Sequence, residues 1–198
     1  MTDEDRANWI EVSLSSFAWE AEALQFIQDQ FLTHEPYRAW SNSEFVADDG
    51  SLNEVDLLVF SKRGFFLVEI KNRPGLLTGD AHTWNWEHEG RRTATDNPIF
   101  LANRTAKRLA SLLQSQRALD KTRLPFVEPL IFCSAEGLKC ELQGNARFHV
   151  CLRDAPDRPG IMAALKNREC PGLRSIRIHH HHLDRLALLL RQTPVKQG

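Results

Sequence analysis

The sequence predicts an α/β domain, and three patterns carry that expectation. Asn53 to Arg73, NEVDLLVFSKRGFFLVEIKNR, reads as two apolar strands joined at Ser61-Lys62-Arg63-Gly64. Two runs rich in Val, Leu, Ile and Phe around a polar turn with Gly are a hairpin signal. Val127 to Cys133, VEPLIFC, reads as a central buried strand of the kind found in α/β sheets. Two stretches with apolar residues at intervals of three and four, 16–31 and 97–119, predict the helices.

The elements follow in chain order. Residues 1–14 are a polar, acidic lead-in in which Trp9 and Ile10 are the packing candidates. Ser15 or Ser16 is the expected N-cap of the first helix, which runs to about Phe31. Its inward stripe is Phe17, Glu20, Leu24, Ile27 and Phe31, with Glu22 on a flank nearer solvent. An acid on such a stripe is either a functional group or a residue at the rim of the core. Tyr37 to Val46 is the first expected strand, and Asp48-Asp49-Gly50 the turn before the hairpin. Pro74-Gly75 ends the hairpin, and Leu76 to Trp86 predicts one short strand closed by a turn at His88-Glu89-Gly90. Trp84 and Trp86 share a face by alternation; they read first as core and second as a base-stacking platform.

Asp96 or Asn97 caps the second helix, with Pro98 in its first turn. Ile99, Leu101, Ala102, Leu109, Leu112 and Leu113 face the sheet, and Asn103, Arg104, Lys107, Arg108 and Arg117 form a basic side. Such a side is either solvated surface or, beside a carboxylate site, a cradle for a phosphate backbone. Phe148 to Leu152 predicts a further strand, Asp154 to Gly160 a loop, and Ile161 to Asn167 a short helix. Ser175 to Ile178 leads into His179–His182, and Leu183 to Arg191 is a final helix. Adjacent histidines point to different sides, so the run reads as surface and not as a metal site.

Composition limits the function classes. The 198 residues are 42% hydrophobic and 26% charged, which excludes a disordered chain. A formal charge of −1 excludes a globally basic nucleic-acid binder, so any grip on a phosphate backbone must come from a local patch. Cys133, Cys140, Cys151 and Cys170 lack C-x-x-C spacing and follow no signal peptide, so reduced thiols and a cytoplasmic location are expected. No apolar run approaches the roughly 18 residues of a membrane helix.

The charges within the hairpin are its unusual feature. Asp56 enters the first strand, while Glu69 and Lys71 punctuate the second and point the same way, roughly 7 Å apart along it. Two carboxylates bind one or two Mg²⁺ (or Mn²⁺) ions, which keep several waters and take substrate phosphate as further ligands. A lysine two residues away orients water or offsets charge on the phosphorane oxygens, and a glutamate from a preceding helix completes the inner or outer ligand shell. Glu20, Asp56, Glu69 and Lys71 supply this set, with Asp56 and Glu69 as the metal carboxylates. The competing reading is a buried ion pair of Lys71 with one acid, which would leave a surplus negative charge.

These residues also carry a resemblance. Trp19-Glu20, Asn53-Glu54-Val55-Asp56, Arg63-Gly64-Phe65-Phe66-Leu67-Val68-Glu69-Ile70-Lys71, the Trp84 strand and Asp96-Asn97-Pro98 resemble the NERD (nuclease-related) domain of the PD-(D/E)xK superfamily over roughly residues 15–135. The resemblance implies a restriction-endonuclease-like fold, a mixed central sheet flanked by helices, with Glu20, Asp56, Glu69 and Lys71 as active-site positions. NERD domains often carry a glutamine soon after the Asn-Pro, and here the neighbourhood reads IFLANR, which leaves that role vacant or gives it to Asn103. NPIFLANRTAKRL after a WNW strand is similar to the NERD domain of large bacterial kinases in phage-growth-limitation and BREX-type defence systems.

Two function classes follow. The first is a Mg²⁺-dependent nuclease acting on DNA, with RNA as the other polymer, within a defence protein that carries a kinase. The second is a silent module that binds DNA or a partner and regulates that effector. Asn97, Asn103, Arg104, Lys107 and Arg108 are the candidate substrate contacts. The expected division is a lead-in at 1–14, a nuclease-like domain at 15–170, and a C-terminal helical extension at 171–198 leading to further domains. Double-strand cleavage would call for two sites, hence a homodimer.

Overall fold

The computed structural model describes residues 8–32, 34, 36–115, 126–168 and Leu190. The expected features at Ser175–Ile178 and His179–His182, the final helix except Leu190, and the second helix beyond Ser115 with Arg117 lie outside the described residues.

The elements are β1 (Trp9–Glu11), α1 (Ala18–Gln28), β2 (Arg38–Val46), β3 (Leu52–Ser61), β4 (Gly64–Lys71), β5 (Leu76–Gly79), β6 (Thr83–His88), β7 (Arg91–Asp96), α2 (Ile99–Ser115), β8 (Val127–Cys133), β9 (Lys139–Cys140), β10 (Val150–Cys151) and α3 (Ile161–Asn167). The main sheet has six strands in the order β1-β2-β3-β4-β8-β10. It is mixed: β2, β3 and β4 run antiparallel in sequence, while β8 joins β4 in parallel and β10 joins β8 in parallel. A second sheet, β7-β6-β5-β9, extends from the end of β4. This is the restriction-endonuclease-like α/β arrangement, a mixed sheet flanked by helices.

The hairpin strands and β8 are apolar on both sides because both faces of the sheet are covered. Leu58, Phe60, Phe65, Leu67 and Ile131 pack with Leu109 and Leu113 of α2 and with Leu77, Trp84 and Trp86 of the second sheet. Their neighbours Leu57, Val59, Phe66, Val68, Leu130 and Phe132 pack with Leu24 and Ile27 of α1 and with Ile161 and Leu165 of α3. The period-two swap between clusters is strand alternation in a doubly covered sheet. Trp84 and Trp86 are 1% and 6% exposed, so they are core and not a stacking platform.

Several expectations are corrected. The N-terminal segment is not merely a lead-in: Trp9 to Glu11 pair in parallel with Ala39 to Ser41 as β1. Leu76 to Trp86 is two antiparallel strands, because Asp80 Oδ1 accepts from the amides of His82 (2.7 Å) and Thr83 (2.8 Å) and folds the chain back. Arg91 to Asp96 forms an unforeseen strand, β7, against β6. Neither Ser15 nor Ser16 caps α1; Phe17 holds the cap position, with no side-chain cap bond. Asn97 does cap α2, accepting from the Ile99 amide at 3.0 Å. Leu101 is exposed; Ala102, Thr105, Ala106, Leu109 and Leu113 make the inward stripe instead. The strand expected at Phe148 to Leu152 shortens to β10, and Phe148 is exposed.

Cys133, Cys140 and Cys151 are unpaired, and burial pushes the Cys133 and Cys151 thiols up, the latter to about 11, so both stay protonated and inert. Among the described residues, no helix is long and apolar enough to cross a membrane.

Candidate active site

The charged residues of the hairpin meet the start of α1 at a cleft of about 430 Å³. Its walls carry five acids, Glu20, Glu44, Glu54, Asp56 and Glu69, and one base, Lys71. Each of the four residues singled out by the sequence is there, supplied by three elements: Glu20 by the first turn of α1, Asp56 by β3, Glu69 and Lys71 by β4.

Strand pairing fixes the relation of the two hairpin acids. The ladder ends with Leu57 opposite Val68, so Asp56 lies just beyond the last pair, where its Oδ2 accepts from the Ile70 amide at 2.7 Å. Lys71 Nζ donates to Glu69 Oε1 at 2.6 Å, a contact that their same-side placement on the strand allows. Burial, then the negative field of Glu69, pushes the Asp56 carboxyl up to about 7, against the opposing Ile70 hydrogen bond. Burial, then Glu69 and Glu54, raises Glu20 as well, with Lys71 opposing. Acids raised by burial and by one another form a local surplus of negative charge that a single lysine does not neutralise.

That donor set suits a hard cation. Asp56 and Glu69 are oxygen donors, the chemistry preferred by Mg²⁺ and Mn²⁺. Among the described residues, no group of three or more His, Cys, Asp or Glu side chains is placed to hold a metal ion, so any cation here would rest on two carboxylates. An open two-carboxylate site that leaves positions to water and phosphate is how Mg²⁺ is commonly held.

Two positioning devices were not legible in the sequence. Asn42 of β2 sits in the left-handed region at φ 50°, between Ser41 and Ser43, which pair with Leu57 and Val55 on either side of Asp56. Its Nδ2 donates to Ser13 O (3.1 Å) and Ser15 Oγ (2.8 Å), while Ser13 Oγ donates to Asn42 O (2.8 Å). The lead into α1 is thus tied to the strand beside Asp56. The signal was a Ser-Asn-Ser run inside a strand otherwise rich in aromatics, since Asn is the non-glycine residue most at ease at positive φ. Arg153 is the second device. Its Nε donates to Ser134 O at 2.5 Å, its Nη2 to Glu22 Oε1 at 2.7 Å, and its guanidinium lies 4.7 Å from the Phe26 ring. Ser134 in turn donates its amide to Lys71 O at 2.9 Å, so one side chain joins α1 to the end of the β4–β8 pair.

Asn42→Ala is expected to lower stability by about 2 kcal/mol, from the lost hydrogen bonds and the strain of alanine at positive φ. Asn42→Gly, which tolerates the backbone but lacks the amide, should fall between the two in urea denaturation.

The structure does not bring the five candidate substrate contacts to this cleft. Asn97 is 3% exposed and its side chain is used in the cap and in a bond to Ala81 O (3.1 Å). Arg108 is held by Asn53 (3.1 Å) and Asp49 (2.9 Å). Asn103 is half-buried on α2, and Arg104 and Lys107 are exposed there.

The family described as the nuclease-related domain, NERD, matches residues 15–134. A protein named "Probable kinase PglW", from Streptomyces coelicolor, is 42% identical over 106 residues. That alignment covers 53% of this chain and 7% of the relative, so the chain spans a small part of that protein's length. No solved structure matches the chain.

Proposed function

Because the chain belongs to the nuclease-related domain family, we propose that it is a metal-dependent phosphodiesterase acting on DNA, with Glu20, Asp56, Glu69 and Lys71 as its working residues. The observation that carries this reading is the convergence of all four on one cleft, with two of its acids raised by burial and then by their neighbours' charge. Asp56 and Glu69 would hold Mg²⁺ or Mn²⁺. When bound, the cation would polarise the scissile phosphate and make water a better nucleophile near neutral pH. The Ile70 amide fixes the Asp56 carboxylate on its rotamer. Lys71 offsets the negative charge that builds on the phosphorane oxygens. Glu20 presents a carboxylate of raised basicity at the same wall, suited to orienting water and accepting its proton. Hydrolysis adds water to phosphorus and expels one ester oxygen, which leaves with a proton.

The domain would work as part of a larger bacterial anti-phage protein with an attached kinase, 15–170 being the nuclease-like unit and 171–198 leading onward. The likeness to part of a much longer protein named a kinase supports that setting. A silent regulatory module is the second reading, and the Glu69–Lys71 contact favours it, since a carboxylate engaged by lysine is the structural use of these residues.

Calorimetric titration with Mn²⁺ and Mg²⁺, run with a nicking assay on plasmid and on circular single-stranded DNA for the wild type and Glu69→Ala, separates the readings. Binding and nicking that are both lost in Glu69→Ala support the nuclease. Absence of cation binding in the wild type and the variant alike leaves the regulatory module.

A further inference from the structure

The mouth of the cleft is aromatic. Phe17 and Trp19 both line it, and their rings stack with centroids 5.6 Å apart and planes 16° from parallel. They are 57% and 39% exposed, although the buried side of α1 is already filled by Ala23, Leu24 and Ile27. Phe17 also occupies the N-cap position, where Ser, Asn or Asp would satisfy the helix amides, without making a cap bond. Neither core packing nor helix stability accounts for two large rings displayed at this point.

The charge around them narrows what they can receive. With five acids against Lys71, the cleft walls lack the lysines and arginines that hold a duplex by phosphate neutralisation and counterion release. Beyond the one phosphate that Lys71 and a bound cation would meet, affinity has to come from groups that do not depend on net charge. An aromatic surface meets that need for a polymer whose bases show their faces, since every unpaired base can stack. A duplex hides those faces except at its ends.

We propose that Phe17 and Trp19 form a stacking platform for an unpaired base beside the scissile phosphate, so that the substrate is single-stranded nucleic acid. The proposal rests on the phosphodiesterase reading above for the identity of the polymer. Trp19 directly precedes Glu20 on α1, so a base seated on the rings places its phosphate toward the carboxylates.

The test is fluorescence anisotropy with the whole chain and Ca²⁺, using dye-labelled oligothymidylate, oligouridylate and a blunt duplex of equal length. The proteins are the wild type, Phe17→Ala, Trp19→Ala, Trp19→Phe and Asp56→Asn. Expected are binding of at least one single strand about tenfold tighter than duplex, and a further loss of about tenfold or more in each alanine variant. Trp19→Phe, which keeps a ring, should retain most of the affinity. Equal affinity for duplex and single strand, or alanine variants that bind as the wild type does, would overturn the proposal and reassign the rings to a protein contact. Stacking-dependent binding with no hydrolysis in Mg²⁺ would leave the platform standing and remove the nuclease reading alone. Hydrolysis of duplex untouched by the ring variants would do the reverse.

Discussion

Asp56→Asn is expected to abolish cation binding and cleavage, the latter by about a thousandfold or more, and yet to melt above the wild type at pH 8 without added cation. The gain follows from linkage. The folded Asp56 carboxyl is pushed from 3.8 up to about 7, first by burial and then by Glu69, so between these values the folded protein binds a proton that the unfolded chain has released. That contribution to stability is complete at and below the unfolded pKa and is lost as pH rises through about 7. The ceiling of the loss is on the order of 4 kcal/mol. Water in the open cleft reduces it, so about 2 kcal/mol, or about 5 °C, is the expected gain in melting temperature for the amide variant. Asparagine keeps a side-chain oxygen for the Ile70 amide and carries no charge, so the gain should shrink toward pH 5, where Asp56 is protonated already. Saturating Mg²⁺ should stabilise the wild type at pH 8 and not the variant. A variant that unfolds, or that melts below the wild type at pH 8, would show Asp56 to be a structural ion-pair member instead.

What was legible in the chain follows from how local each signal is. The hairpin, its turn and the Asp56, Glu69, Lys71 spacing all lie within one short stretch, and antiparallel pairing across a tight turn leaves little freedom in their placement. Glu20 could be read from helical spacing because α1 shows its inner side every third or fourth residue. The parts that escaped are held by distant partners. β1 is three residues whose pairing with β2 gives no pattern of its own. β7 is RRTATD, almost wholly exposed, and becomes a strand because β6 offers it an edge. The Arg153–Glu22 contact spans residues that sit 131 apart. Phe17 misled for another reason: its spacing fits an inward stripe, but it falls at the N-cap, before the helix has turned that side toward the sheet. Phe17 of the stacked pair at the cleft thus passed for core, while Trp84 and Trp86, read first as core and second as a platform, are buried.

Lys71→Met is expected to separate the two uses of the ion pair most sharply. In the phosphodiesterase reading Lys71 works on the phosphorane, so its loss should lower the rate of cleavage by about a hundredfold or more. Cation affinity should hold or increase, because Glu69 Oε1 is released from its 2.6 Å contact and the cleft becomes more negative. The free protein should lose some stability, since Glu20, Asp56 and Glu69 then share a cleft without a positive charge, and Mg²⁺ should restore it. In the structural reading the same substitution breaks a pair that only supports the fold. Stability would then fall without recovery in Mg²⁺, and no cation would bind before or after the change. Melting temperature with and without Mg²⁺, read beside the single-turnover cleavage rate, distinguishes these outcomes. Lys71 is 36% exposed and Glu69 is 19% exposed, so the pair is wet enough to open at modest cost. A lysine that can leave its carboxylate when phosphate arrives fits a cleft built around surplus acids better than a permanent ion pair does.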